Sequence, residues 1–166
     1  MRNLIAFPLL ALAVILQSSV VSEVRLLSGH ADLPLVLLAA WALQERVDTA
    51  WHWGAVASLF AGIVSRLPFP VMIIGYFGVL FLARLLQRRV WQAPLLAMFS
   101  VVFLGTLSFH LLSFVALRSL GAPLDFGDVM GFVTLPSLLL NMLLSIPVHA
   151  FMRETSRWVY PAEAQV

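Results

Sequence analysis

Gly105 to His110, "GTLSFH", sets a serine and a histidine two residues apart, the two residue types that a hydrolase uses as nucleophile and base. On a helix, residues two apart point to different faces, so Ser108 and His110 are poorly placed to share a proton. The eight acids, Glu23, Asp32, Glu45, Asp48, Asp125, Asp128, Glu154 and Glu163, all fall in loops or at the ends of apolar runs. No carboxylate is therefore expected midway through a membrane, which argues against proton-coupled transport and against aspartyl or metal-dependent intramembrane proteolysis. His30, His52, His110 and His149 lie in four separate regions, without the His-x-x-x-His or Glu-x-x-His spacing that puts ligands on one helix face. No metal site is expected. Cysteine is absent, which removes disulfides, thiolate metal sites and a thiol nucleophile. These patterns predict no catalytic residues, no cofactor and no enzyme activity.

What does fall inside the apolar runs is polar and neutral: Gln17, Thr106, Ser108, His110, Asn141 and Ser145. One use of such residues is the interhelical hydrogen bond, worth about 0.6–2 kcal/mol in a bilayer. The sharper reading is a polar pocket lined by Gln17, His110 and Asn141 that holds a small ligand or a lipid headgroup.

The elements that must position these residues follow from composition. The chain has 166 residues, 61% hydrophobic and 11% charged, where a soluble domain is nearer a quarter charged. This is an integral membrane protein, an all-α polytopic helical bundle in a single domain over 1–166. Apolar runs at 3–22, 33–45, 50–66, 69–87, 93–117 and 128–152 predict about six transmembrane helices. The second and third are short, and could instead form a tilted or re-entrant pair. Met1 and Arg2 before the first run read as the start of a retained span, since no cleavage motif with a soluble domain follows.

All ten basic side chains are arginines, and with six crossings seven fall on one side and three on the other. The excess places both termini in the cytoplasm. Arg84, Arg88 and Arg89 share one helix end as a basic face suited to anionic lipid. The arginines are scattered beside apolar segments, so nucleic acid is not an expected partner. Pro136 and Pro147 lie inside the last run and should kink it.

The third run, "WHWGAVASLFAGIVSR", is short and rich in small residues. Ala50, Gly54, Ser58 and Gly62 recur every four residues, and Ala57, Ala61 and Ser65 form a second row beside them. Small side chains let helix backbones approach closely, which is how helices associate in lipid. This helix is expected to be surrounded by protein, either the rest of the chain or a partner's helix.

The order of these features resembles the rod shape-determining protein MreD family. "LLALAVILQSSVVSEVRLLSGHADLPLVLLAAWAL" is similar to its first two spans, with Leu-Gln-Ser-Ser closing the first and Asp-Leu opening the second. "GAVASLFAGIVSRLPFPVMIIGYFGVLFLARLLQRR" resembles its Gly-rich third segment and Arg-terminated fourth, and "PSLLLNMLLSIPVHAFMR" its last span. Where that family often carries an acid after the third-segment glycine, this chain has Ser65 and Arg66.

The resemblance implies a non-enzymatic scaffold in the bacterial inner membrane that serves the elongation machinery and helps regulate peptidoglycan synthesis and rod shape. It would bind an MreC-like single-span protein. Through it would come a class B penicillin-binding transpeptidase, a SEDS glycosyltransferase and MreB filaments. The plan is also similar to the S-component fold of energy-coupling-factor transporters, which implies the alternative of a vitamin-type substrate-binding subunit. Those subunits commonly carry Ala-x-x-x-Ala on the first helix; Ala6, Ala11 and Ala13 do not make that spacing.

Overall fold

The computed structural model describes residues 5–45, 47, 50–87 and 93–160. Among these described residues are six helices, four of them long and apolar enough to cross a membrane. α1 is Ala6–Ser19, extended to Glu23 by a 3₁₀ turn. α2 is Leu33–Ala42, α3 Ala50–Val64, α4 Phe69–Gln87 and α5 Pro94–Ser119. α6 runs Phe126–Val159, with a wide π-type turn at Val129–Thr134. Pro34, Pro70 and Pro94 fall in the first turns of their helices, where a missing N–H breaks no bond.

α3 and α4 form an antiparallel hairpin: Gly54 lies against Leu80 and Phe77, and Gly62 against Phe69. α4 and α5 pack in the same sense, with the Phe109 ring on Gly75 and Val79 on Gly105. One end of the bundle is closed around Gln44. Its carbonyl accepts from Gln87 Nε2 at 2.9 Å, and its side chain meets Ser156 Oγ at 3.4 Å. Trp41 stacks on Trp53 there, ring centroids 4.2 Å apart, with Tyr160 alongside.

The helix that protein encloses on every side is α2. Every residue from Pro34 to Ala42 is buried, and α1, α3, α4, α5 and α6 all touch it. Its sequence, "LPLVLLAAWA", is apolar all round, and such a helix has no face to offer water. α3, expected to be surrounded by the rest of the chain or by a partner's helix, is covered by this chain on one side. Ala50, Gly54, Ala57, Ser58 and Ala61 face inward, while Trp51, Ala55, Leu59, Ile63 and Val64 are exposed.

At the other end, a two-stranded hairpin pairs Arg25–Leu26 with Gly29–His30. Its turn places Leu27 at φ 55°, a left-handed conformation that usually selects glycine. The hairpin folds back into the bundle onto the wide turn of α6. Pro136 has no N–H to give to the carbonyl four residues back, Phe132, and that carbonyl accepts from Ser28 N at 3.0 Å.

Candidate functional site

α2 is 10 residues long, about 15 Å at 1.5 Å per residue, half of a hydrocarbon core. It ends beside Gln44 at one rim of the bundle, so its first residue must lie deep inside. The hydrogen bonds at that first turn show how the depth is tolerated.

Gln17 on α1 clamps the segment that leads into α2: its Nε2 donates to the Ala31 carbonyl at 2.7 Å, and its Oε1 accepts from Leu33 N at 2.8 Å. Asn141 on α6 accepts from Asp32 N at 2.6 Å and donates from Nδ2 to Thr106 Oγ on α5 at 2.9 Å. Ser137, one turn earlier, accepts from His30 N at 3.1 Å. Every one of these backbone groups would be an unsatisfied polar group in hydrocarbon without its side-chain partner.

Asp32 is the N-cap of α2. Its Oδ1 accepts from Leu35 N at 3.0 Å and from the Tyr76 hydroxyl at 3.1 Å, with Oδ2 3.4 Å from the same hydroxyl. Thr106 stands halfway along α5, Asn141 near the middle of α6, and Tyr76 well inside α4. Asp32 is therefore the end of an apolar segment, as expected, yet that end lies level with the middle of the long helices. A carboxylate does sit at depth, and the argument against buried acid chemistry does not extend to it.

Beside Asp32 opens a cavity of about 340 Å³, bounded by Gln17, His30, Asp32, Tyr76, Met72 and Phe109, and reaching Ser18, Ser22 and Ser65. Of the three residues expected to line a pocket, Gln17 does so. Asn141 is fully buried and acts through the Asp32 amide. His110 points elsewhere, its Nδ1 3.2 Å from Thr134 Oγ. Sequence reasoning passed over Asp32, Tyr76 and His30. A signal was present: a run of apolar residues too short to cross, opened by an N-capping acid, marks a helix that starts midway.

The small-residue rows pack within the chain. A Cβ built on Gly54 would stand 2.9 Å from Leu80 Cδ1, and one on Gly62 2.6 Å from the Phe69 ring. Ala50, Ala57, Ser58 and Ala61 are buried, and Ser65 caps the next turn by accepting from Leu67 N at 3.0 Å. Ser58→Leu is expected to cost about 1–3 kcal/mol through overpacking. Gly62→Ala should be nearly neutral, because Phe69 is partly exposed and can swing aside. Denaturation of the two variants in mixed detergent micelles compares them directly.

Of the basic face, Arg84 is bound inward: it donates to Gln87 Oε1 at 2.9 Å and to the Val47 carbonyl. Arg88 and Arg89 lie outside the described residues. Among the described residues no cluster of His, Asp and Glu has the arrangement of a metal site. Compared with protein-family models, with curated proteins and with solved structures, the chain gives no match.

Proposed function

We propose that this protein is a non-enzymatic, MreD-like scaffold of the bacterial inner membrane, with both termini in the cytoplasm, which docks the helix of an MreC-like single-span partner. Through that partner it would help organise a class B penicillin-binding transpeptidase, a SEDS glycosyltransferase and MreB filaments.

The observation that carries the reading is the outer face of α3. Trp51, Leu59, Ile63 and Val64 are exposed on a helix of 15 residues, about 22 Å long against a core of about 30 Å. Its inner face is already committed to α4 and α1, where Phe60 meets Phe7 edge-on at 6.4 Å. A short helix bordering lipid leaves a mismatch that a neighbouring helix relieves.

A photo-crosslinking residue placed at Leu59 or Ile63 in native membranes is expected to capture a single-span protein with a large periplasmic part. The same residue at Leu143, exposed on α6, should capture it far less. Equal capture at all three positions removes the assignment to α3. Recovery of a pair of ATPases with another membrane subunit would instead favour the transporter reading.

A further inference from the structure

The cavity beside α2 is lined by Ser18, Ser22 and Ser65 from the ends of α1 and α3, by Met72 and Phe109, and by His30, with Asp32 and Tyr76 at its floor. Its volume of about 340 Å³ falls in the range of small-molecule sites, which are mostly apolar with a few placed polar groups.

The floor has unspent capacity. An ionised carboxylate offers about four acceptor positions. Oδ1 of Asp32 takes Leu35 N and the Tyr76 hydroxyl, while Oδ2 receives only the longer approach of that same hydroxyl. Among the described residues no arginine lines the cavity and Asp32 is in no ion pair; His30 is the one lining side chain able to carry a positive charge. Gln17 cannot serve it, because both ends of its amide are engaged with backbone. An acid at this depth needs a positive charge or a proton beside it, and buried acids in membrane helices mark functional sites for that reason.

From the open acceptor, the lack of a permanent cation in the lining and the apolar walls together, we infer that this cavity binds a small molecule carrying a primary ammonium on a short apolar body. The ammonium donates to Asp32 Oδ2, and the body lies against Met72 and Phe109. Such a site does not rest on the scaffold reading. In a scaffold the ligand reports a condition of the cell, and in a transporter subunit it is the cargo.

Hexylammonium chloride is a suitable probe, with hexanol as its neutral match, added to the purified full-length protein in maltoside detergent. A ligand that binds only the folded state raises the unfolding temperature saturably, here by an expected 3–6 °C or so. Hexanol should give no saturable rise. Asp32→Asn should abolish the hexylammonium effect. Because Asp32 also caps α2, Ser18→Trp provides a second variant: it obstructs the serine-lined side from an exposed position and should abolish the effect in a folded protein. The inference is overturned by an equal rise with hexanol, by a rise that survives in Ser18→Trp or in folded Asp32→Asn, or by no rise with the parent protein.

Discussion

Asn141→Ala is expected to lower the stability of the bundle by about 2–4 kcal/mol. The side chain is fully buried and joins three helices, receiving Asp32 N at 2.6 Å and donating to Thr106 Oγ at 2.9 Å. Its removal leaves the Asp32 amide and the Thr106 hydroxyl without their side-chain partner, and each such group costs about 1–3 kcal/mol. Loss of helix during titration of maltoside micelles with dodecyl sulfate gives the value. Ser100→Ala serves as the control, because Ser100 bonds only its own helix at Leu96 and should shift the midpoint by less than about 0.5 kcal/mol. If the two variants behave alike, the Asn141 bridge is not what seats α2.

Gly29→Ala should be comparably damaging for a different reason. A Cβ there would stand 2.6 Å from the Val133 carbonyl oxygen, 2.7 Å from Ser137 N and 2.8 Å from Pro136 Cβ. Two of these are backbone and the third is a rigid ring, so no rotamer change relieves the clash. The hairpin must lift, taking with it the bonds from Ser28 N to Phe132 and from His30 N to Ser137. A loss of about 2–4 kcal/mol is expected, together with faster amide exchange from Ser28 to Asp32. Gly78→Ala, where nothing lies within 4 Å of the added Cβ, should stabilise α4 by up to about 1 kcal/mol. Opposite signs for the same chemical change would separate close packing from helix propensity.

Helix positions were legible because apolar runs, first-turn prolines and arginine-bearing breaks mark membrane helices directly. The expected run at 69–87 matches α4 residue for residue, and the starts at 33 and 50 match α2 and α3. The last helix is longer than its apolar run, reaching Val159, because Met152, Ser156 and Val159 are buried against the bundle while Glu154, Arg153 and Arg157 stay on its exposed side. Depth was not legible. Asp32 looks like any loop acid in one dimension; only Asn141, Gln17 and Tyr76, brought from three other helices, place it in the interior. The enclosure of α2 over α3 could have been read from side-chain character, since small residues mark one close contact whereas an unbroken apolar surface marks contact on all sides. The wide turn at Val129–Thr134, one turn before Pro136, was not foreseen; the expectation there was a kink at Pro136 and at Pro147.

The bond from Asp32 N to Asn141 spans 109 residues of sequence. During synthesis α1 to α5 emerge ahead of Asn141, so α2, half the length of a span, at first lacks one of the side chains that seat its first turn. Gln17 and Tyr76 already hold the segment at that stage, and the seat of α2 is completed only when the last helix arrives. Chains that stop short of α6 are expected to be cleared by membrane proteases instead of persisting as smaller bundles, and pulse-chase lifetimes of such truncations would test that.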